Sequence, residues 1–296
     1  MPNGDKPTVH EHYVPKVYLS GFAADNASKR IYRLSLSNIS AGCTDVKIES
    51  QAFQNNLYEA KNSSGNFIGR NYIENCLHNV ETLYGKYRSA LFSEIESCKV
   101  TNETTYLSHE MRCFLTQFIL LQMVRTKSII QAVQTKTAED LKEYVHPNEA
   151  KLLALFKLFA FFDTDKTTPL VGASMIDIML PWLDNMVLFV GYFSEDVLFT
   201  SDNPVYALME DYNKKEPTEI LLPLSPRVVV AFIHRDKVGR EYDNQILQLS
   251  KEWAKHICEC TIIGAKDALY SPHKFELNAL KEIERIRNME IHDKAK

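Results

Sequence analysis

The chain has 296 residues, of which 45% are hydrophobic and 24% charged, and these values exclude a disordered, collagenous or fibrous protein. A formal net charge of -4 and a pI near 6.2 argue against a surface adapted throughout to polyanions, although a local basic groove for nucleic acid stays open. The six cysteines are scattered and predict no disulfide framework, and the closest pair, Cys258 and Cys260, lacks a second pair at zinc-binding spacing, so no metal site is expected.

The N-terminal residues 1–14 contain no basic segment followed by an apolar stretch, the pattern of a secretory signal. No apolar run in the chain approaches the length needed to cross a membrane. We therefore expect a cytoplasmic protein without a membrane partner.

Short strands are predicted near the N-terminus, and long helices follow them. Alternating apolar and polar residues predict a strand over Arg30 to Leu36, and Ala52 to Tyr58 could supply a second one. Apolar residues spaced by three and four then predict a helix from Ile73 to Ile95. The same spacing predicts another helix from Met111 to Ile129, although two polar residues interrupt its apolar face.

Two further signals extend this helical block to residues 70–165. Thr137, followed three residues later by Asp140, is a candidate N-cap with an acidic first turn. Pro147 can open a further helix that runs through KLLALFKLFAFF. The middle third of the chain is therefore predicted to be mainly helical.

The last third returns to strands. The runs MVLFVGYF, VLFTSD, EILLPL and RVVVAFIH are apolar or β-branched and are separated by turn residues, which predicts strands of one sheet. Helical spacing follows in QILQLSKEWAKHICEC, CTIIGA could be a last strand, and HKFELNALKEIERIRNMEI predicts a terminal helix. This order predicts an α+β fold, with a block of helices packed on a mostly antiparallel sheet or inserted into it. No linker divides residues 1–296, so we expect a single domain.

Four short segments carry specific sequence patterns: HYVPKVYLSGF from His12 to Phe22, FQNNLYEA, LQMVRT and FTSDNPV. In this order they resemble the motifs of the DUF4238 family, among them HYVPxxYL, QxxRT and TSDNP. LLPLSPR and Asn244 fill two later and less specific places of the family pattern. The resemblance covers most of the chain. It implies no particular activity, because the family is defined by sequence, so the chemistry is argued from the residues.

His12 is the first candidate site residue. Pro15 restricts Val14 to extended geometry, so we expect His12 to be presented from a strand edge or a loop. It could act as a base or metal ligand, or it could hydrogen-bond to a neighbouring backbone group and hold the N-terminal segment to the fold. His10 would point to the same side of a strand, but a pair of this kind is weak evidence for a metal.

Gln122 and Arg125 are the two polar residues on the apolar face of the second predicted helix. A guanidinium cannot lose its charge there, so Arg125 needs an acceptor. That acceptor could be a carboxylate or carbonyl of the protein, or a phosphate or carboxylate of a ligand, which the planar donor fork of arginine matches. Both interpretations stay open.

Asp202 stands at the end of a predicted strand, and Asn203-Pro204 forces a turn directly after it. Strand ends are common places for binding and catalytic residues. In the alternative interpretation Ser201, Asp202 and Asn203 form an Asx-type turn and only cap backbone groups.

On the first predicted helix, Glu74, His78 and Glu81 are spaced by four and three residues, so they share one flank beside the apolar face. The spacing suits metal ligands, but no matching second ligand set is visible. A solvated helix flank is the more typical explanation.

Three functional hypotheses follow. In the first, the protein is a hydrolase of a phosphodiester or similar bond, a nuclease or phosphodiesterase acting in bacterial stress or phage defence. Its catalytic residues would be His12, Arg125 and Asp202, with His12 or Asp202 as base or metal ligand and Arg125 stabilising negative charge. The residues expected to contact the ligand are Gln122, Ser201, Asn203 and Asn244.

In the second hypothesis, the protein is a non-catalytic sensing or interaction component in which the same residues bind an anionic ligand or nucleic acid. In the third, Arg125 and Asp202 form a buried structural pair and His12 holds the N-terminal segment. The chain lacks a P-loop, a G-x-G-x-x-G and a G-x-S-x-G, which argues against nucleotide hydrolysis by the usual loop and against serine acyl transfer. The sequence does not identify a cofactor, a protein partner or an oligomeric state.

Overall fold

Short N-terminal strands, a helical block and a C-terminal sheet follow one another in a computed structural model that describes residues 9–294, apart from 26, 28, 63, 69, 102–103, 160–174 and 210–215. The strands are β1 His10–His12, β2 Arg30–Ser35, β3 Cys43–Lys47, β4 Phe53–Asn55, β5 Ala60–Lys61, β6 Phe67–Ile68, β7 Thr105–Tyr106, β8 Met186–Tyr192, β9 Thr200–Ser201, β10 Tyr206–Leu208, β11 Glu219–Ser225, β12 Val228–His234, β13 Gln245–Gln248 and β14 Ala268–Ser271. The α-helices are α1 Lys16–Leu19, α2 Tyr72–Thr101, α3 His109–Val124, α4 Lys127–Leu141, α5 Pro147–Phe159, α6 Met175–Met179, α7 Lys251–Gly264 and α8 Leu277–Lys294.

The strands form two main sheets. The larger has the order β10-β11-β12-β8-β13-β7, and its neighbours are antiparallel except β13 and β8, which are parallel. The smaller has the order β3-β2-β14-β9 and is antiparallel throughout. Two antiparallel pairs, β1 with β4 and β5 with β6, complete the arrangement. The predicted α+β class with a mostly antiparallel sheet is confirmed.

The larger sheet lies between two helical layers. Side chains alternate between the faces of a strand, so even-numbered residues such as Leu188 and Phe232 pack with the helical block, against residues such as Phe118. Odd-numbered residues such as Phe189 pack on the other face against α7, for example against Ile257. Because both faces are covered, β8 and β11 are buried over their whole length.

The HYVPKVYLSGF segment docks on this sheet through α1 and the turn that follows. The hydroxyl of Tyr18 donates to the carbonyl oxygen of Pro223 at 2.6 Å and lies 2.7 Å from Oγ1 of Thr200. A Cβ atom at Gly21 would stand 2.7 Å from the carbonyl oxygen of Leu224, so only glycine permits this close approach. Among the described residues, no helix is both long and apolar enough to cross a membrane.

Several predicted boundaries were wrong in the first half of the chain. The strand expected over Ala52 to Tyr58 is only Phe53–Asn55, because left-handed φ angles of 49° at Ala52 and 52° at Asn56 end it on both sides. The helix expected to reach Ile129 ends before Arg125, and extended backbone at Thr126 separates α3 from α4. The apolar spacing continues across this break, so the sequence pattern did not reveal it.

Other differences lie at the ends of predicted helices. Thr137 is inside α4 and starts no helix, whereas Pro147 opens α5 as expected. QILQ is β13, because pairing with β8 and β7 outweighs its helical spacing, and CTIIGA lies mostly within α7. The last part of the predicted block, 160–165, lies outside the described residues.

Candidate functional site

Arg125 stands at the C-terminal end of α3 with 1% of its surface exposed. Its Nη2 donates to the carbonyl oxygen of His12 and to Oε1 of Glu81, both at 2.7 Å. Its Nε donates to the Tyr58 hydroxyl at 3.1 Å. Burial lowers the pKa of Arg125, but Tyr58 and Glu81 outweigh that effect and raise it. The buried guanidinium thus keeps its charge and joins α2, α3 and the N-terminal segment.

Gln122, one turn before Arg125, is also 1% exposed. Its side-chain Nε2 donates to the carbonyl oxygen of Tyr13 at 3.0 Å. Both polar residues on the apolar face of α3 therefore hold the main chain of the HYVP segment. The segment meets the helix bearing Gln122 and Arg125 through its backbone carbonyls and not through the imidazole of His12.

The imidazole ring of His12 bonds elsewhere. Its Nε2 lies 3.1 Å from the carbonyl oxygen of Glu49. Burial lowers the pKa of His12 more than this hydrogen bond raises it, so the neutral ring donates Nε2–H to the carbonyl. The ring also lies against Phe53, on which His10 stacks. These contacts match the interpretation in which His12 holds the N-terminal segment to the fold.

The flank of α2 is only partly solvated. His78 is exposed, as a solvated flank predicts, but Glu74 and Glu81 are half-buried and face the cluster around Arg125. Burial raises the pKa of Glu74, and the positive charge of Arg125 partly offsets this effect. The two carboxylates therefore belong to the interior, and the imidazole between them does not.

Glu11 and Glu59 are acidic residues that the sequence analysis missed. Glu11 has no exposed surface, and its Oε2 accepts the backbone N–H of Tyr58 at 2.7 Å. Burial raises the pKa of Glu11 to about 7. Glu59 is 5% exposed, and its Oε1 accepts the backbone N–H of Asn71 at 2.7 Å. The one signal in the sequence was their place within or directly before the motif segments.

Three carboxylate oxygens of electrostatically coupled glutamates have no hydrogen-bond partner among the described residues: Oε1 of Glu11, Oε2 of Glu59 and Oε2 of Glu74. Lys151 supplies a second cation, and its Nζ donates to the carbonyl oxygen of Asn56 at 3.1 Å. Burial lowers the pKa of Lys151, and Glu11 and Glu59 oppose this. Buried polar atoms without partners are rare and call for an explanation. We call this set the Arg125 cluster: Glu11, Tyr58, Glu59, Glu74, Glu81, Arg125 and Lys151.

A cavity of about 650 Å³ is formed by residues of the N-terminal part of the chain. We call it the lysine cavity, and its lining residues are Lys16, Val17, Ser20, Lys29, Lys47, Ile48 and Glu49. The carbonyl oxygen of Glu49 accepts the hydrogen bond from His12. The charge of Lys16 adds to the burial that lowers the pKa of His12, and it partly offsets the burial that raises the pKa of Glu74. Lys16, in the lining of the cavity, is thus electrostatically coupled to His12 and to Glu74 of the Arg125 cluster.

Asp202 follows β9 and is 5% exposed. Its Oδ1 accepts the backbone N–H groups of Lys266 at 3.0 Å and Ala268 at 3.3 Å, and its Oδ2 accepts that of Asp267 at 2.9 Å. Burial raises the pKa of Asp202 more than these three bonds lower it. The buried pair of Arg125 and Asp202 in the third hypothesis does not form, because each side chain has its own separate set of partners.

The remaining predicted residues lie around Asp202 or at a distance from it. Oγ of Ser201 accepts the backbone N–H of Asn203 at 3.1 Å, and Nδ2 of Asn203 donates to the carbonyl oxygen of Gly264 at 2.9 Å. This is the capping turn described as the alternative interpretation. Asn244 has a left-handed φ of 66°, and its Oδ1 accepts from Nη1 of Arg112 at 2.6 Å. Its contacts place it at the start of β13.

A second cavity, of about 250 Å³, brings together parts of three motif segments: Tyr13, Thr126, Asp202 and Asn203. The structure therefore gathers His12, Gln122 and Arg125 in one place and leaves Asp202 and Asn203 at this neighbouring cavity. It does not bring His12, Arg125 and Asp202 together as one set of free side chains, because the hydrogen bonds of each are made within the protein.

A possible set of metal ligands lies outside the Arg125 cluster. Within the described part of the chain, one group of three His, Cys, Asp or Glu side chains has its ligand atoms within 4.8 Å of one another: Glu219, His256 and Cys260. No carboxylate of the Arg125 cluster belongs to it. The carboxylates around Arg125 are therefore not arranged as a metal centre.

A family model described as "Protein of unknown function (DUF4238)" matches residues 10–274, which is most of the chain. The chain belongs to the DUF4238 family. No curated protein and no solved structure matches it. The match spans all of the four motif segments, both cavities and the Arg125 cluster. The function of this DUF4238 protein is therefore argued from its own geometry.

Proposed function

We propose that this DUF4238 protein binds a phosphate-bearing organic ligand, such as a nucleotide, in the lysine cavity. The observation that carries the proposal is the charge of the lining, where Lys16, Lys29 and Lys47 meet a single carboxylate, that of Glu49. Because Oε1 of Glu49 lies 3.6 Å from Nζ of Lys47, it offsets one of the three charges. Two positive charges are left to attract an anion.

The three lysines come from separate places in the chain, at the start of α1, before β2 and at the end of β3. All three are exposed, so their ammonium groups are available as hydrogen-bond donors. A volume of about 650 Å³ lies within the range of about 300 to 1,000 Å³ typical of small-molecule sites. Val17 and Ile48 add apolar surface for the remainder of the ligand.

The hydrogen bonds of His12, Arg125 and Asp202, the three predicted catalytic residues, favour ligand binding over catalysis. The ring of His12 bonds to the Glu49 carbonyl, Arg125 donates to three acceptors, and both oxygens of Asp202 accept backbone N–H groups. Each of these groups has a structural role that a bound substrate would have to replace. A cavity with exposed lysines at its wall requires no such rearrangement.

The test is calorimetric titration of the protein with ATP and with pyrophosphate. We expect the double variant Lys29→Gln/Lys47→Gln to bind at least about tenfold more weakly, a loss of about 1.4 kcal/mol, and we expect wild-type affinity to fall with added salt. The matched control is Lys136→Gln/Lys255→Gln, which removes two exposed lysines from α4 and α7. Equal affinities in the two double variants, or no binding of either probe, would overturn the proposal.

A second candidate is a hydrolase of phosphodiester bonds, a nuclease or phosphodiesterase, and the observation that favours it is Glu11. A carboxyl group with a pKa of about 7 can take up and release a proton near neutral pH. Its Oε1 has no partner among the described residues. The Arg125 cluster would be the reaction site and the lysine cavity the phosphate subsite.

This candidate is tested with bis(p-nitrophenyl) phosphate and with labelled single-stranded RNA and DNA as substrates. We expect Glu11→Gln to lower the rate by about 100-fold or more, while Glu143→Gln, an exposed control, leaves it unchanged. If the wild-type protein binds ATP but cleaves none of these substrates, the hydrolase hypothesis is rejected and the ligand-binding hypothesis is retained.

The cytoplasmic location and the role in bacterial stress or phage defence stay predictions. Both are checked in cells that carry a tagged copy of the chain. Fractionation reports the location. A phage challenge compares wild type with Lys29→Gln/Lys47→Gln, and we expect protection to require an intact lysine cavity.

A further inference from the structure

A buried carboxylate lies in the otherwise apolar layer between the larger sheet and α7. Glu219 begins β11, and because side chains alternate along a strand, it points to the same face as Leu221. That face packs against α7 through apolar residues such as Leu221 and Ile233. Glu219 is 6% exposed. Its two carboxylate oxygens lie 2.8 and 3.0 Å from Nε2 of His256.

The helix brings a sulfur atom to the same place. His256 and Cys260 are four residues apart on α7, so their side chains share one face on successive turns. Cys260 is 4% exposed, and its Sγ lies 3.7 Å from Nε2 and 3.9 Å from Nδ1 of His256. The three ligand atoms, one each from Glu219, His256 and Cys260, all lie within 4.8 Å of one another.

We propose that Glu219, His256 and Cys260 form a zinc-binding site. A carboxylate oxygen, an imidazole nitrogen and a thiolate sulfur are the three ligand types that Zn²⁺ accepts, at about 2.0 to 2.3 Å. In a tetrahedron with these bond lengths, ligand atoms lie about 3.3 to 3.8 Å apart. The distance from Sγ to Nε2 already fits, and the contact between His256 and Glu219 has to open by about half an ångström.

The ligand set also selects the ion. Thiolate and imidazole favour zinc over magnesium and calcium, which prefer oxygen ligands. Three protein ligands leave a fourth position, and because 42% of the His256 side chain is exposed, water can reach it. The pair Cys258 and Cys260 does not bind together, since Sγ of Cys258 donates to the carbonyl oxygen of Val197 at 3.3 Å.

The ion would join α7 to the first residue of β11, so its binding adds to the stability of the folded state. This site uses none of the residues of the lysine cavity or of the Arg125 cluster. Zinc binding and the proposed function therefore stand or fall separately.

The first measurement is the zinc content of the full chain purified from zinc-supplemented cells. We expect about one equivalent in wild type and in Cys258→Ser, the matched control, and we expect none in Cys260→Ser or His256→Ala. After removal of zinc with a chelator, titration with Co²⁺ should give a thiolate-to-cobalt charge-transfer band. That band should be lost in Cys260→Ser and kept in Cys258→Ser.

Affinity and stability supply a second readout. We expect Cys260→Ser and Glu219→Gln to weaken zinc binding at least about 100-fold, since even the loss of a group behind a ligand costs 10- to 100-fold. A chelator should lower the Tm of wild type and leave that of His256→Ala unchanged. Wild-type protein without zinc and without a cobalt–thiolate band, or a band that persists in Cys260→Ser, would overturn the zinc site.

Discussion

Arg125 and Asp202 are both buried charged residues, and they are satisfied in different ways. The carboxylate of Asp202 takes its hydrogen bonds from the backbone of three consecutive residues, 266–268, and both oxygens are used. Arg125 takes its partners from the separate segments that carry His12, Tyr58 and Glu81. Three carboxylate oxygens of the Arg125 cluster have no hydrogen-bond partner among the described residues.

This difference separates a structural turn from a candidate site. The carboxylate of Asp202, whose two oxygens both accept backbone N–H groups, serves to fix the turn before β14. In the Arg125 cluster, Glu74 and Glu81 interact with Arg125, and Glu11 and Glu59 interact with Lys151. Its unpartnered carboxylate oxygens can still accept hydrogen bonds inside the fold. Such clusters carry perturbed pKa values, which are common at functional sites.

The largest expected effect is the loss of the arginine. Arg125→Met should lower the free energy of unfolding by about 3 to 5 kcal/mol, because it leaves Glu81 and the His12 carbonyl without their buried partner. Arg125→Lys should lose less, since it keeps the charge but not the planar fork. Urea denaturation at neutral pH measures both. A loss below about 1 kcal/mol in Arg125→Met would mean that the cluster is solvated.

The second-largest expected effect concerns Asp202 and the turn before β14 that it holds. Asp202→Asn replaces one accepting oxygen by an N–H₂ group, so at least one of the three backbone N–H groups loses its acceptor. We expect a loss of about 1 to 3 kcal/mol in the free energy of unfolding. Asp236→Asn, at an exposed position, is the control. If Asp202→Asn keeps wild-type stability but abolishes ATP binding, Asp202 is a ligand residue and the comparison fails.

Glu11 gives a pH-dependent effect. Its pKa is about 7 in the folded protein against an ordinary 4.5, so between these values the folded state holds a proton that the unfolded state releases. Stability is therefore full below pH 4.5 and falls as the pH rises through 7. We expect Glu11→Gln to flatten this dependence and to be about 1 to 2 kcal/mol more stable than wild type at pH 8, because the amide carries no charge but is still a buried polar group.

Thermal unfolding of both proteins across pH 4 to 9 measures the effect of Glu11→Gln. Parallel curves for wild type and variant would show that Glu11 does not titrate in this range. A variant that is less stable at every pH would show instead that the Tyr58 hydrogen bond outweighs the cost of burial.

The smallest expected effect on stability is at the lysine cavity. Lys29→Gln/Lys47→Gln changes exposed side chains, so we expect the free energy of unfolding to change by less than about 0.5 kcal/mol. The same variant should lose ligand affinity, which sets the cavity apart from both buried groups. A large loss of stability would mean that the lysines hold the N-terminal strands together.

Some of this organisation was readable from residue patterns. The spacing of three and four predicted α2, because a long amphipathic helix needs only its own periodicity. The polar residues Gln122 and Arg125 on an apolar face predicted a buried polar contact, because a guanidinium cannot be buried without acceptors. Pro147 marked the start of α5 for a similarly local reason, since proline lacks the N–H that a first turn does not use.

Other features depend on contacts between distant residues. QILQ has helical spacing, yet it is a strand because β8 and β7 offer backbone partners on both sides. The spacing of Glu74 and Glu81 predicted a solvated flank, but both residues are half-buried and interact with the arginine at the end of α3. The surroundings of Glu219 also depend on a distant segment, because His256 and Cys260 lie on α7.

The sequence by itself determined the family, the α+β class and the polar residues that had to find partners. Composition, periodicity and short motifs suffice for these properties because each depends on a residue and its near neighbours. Only the tertiary structure decided that Arg125 pairs with Glu81 and not with Asp202, and that three lysines share one cavity. The reason is that ion pairs and cavities join segments tens of residues apart. A charged residue attracts any opposite charge, so its sequence position does not show which partner the fold brings near.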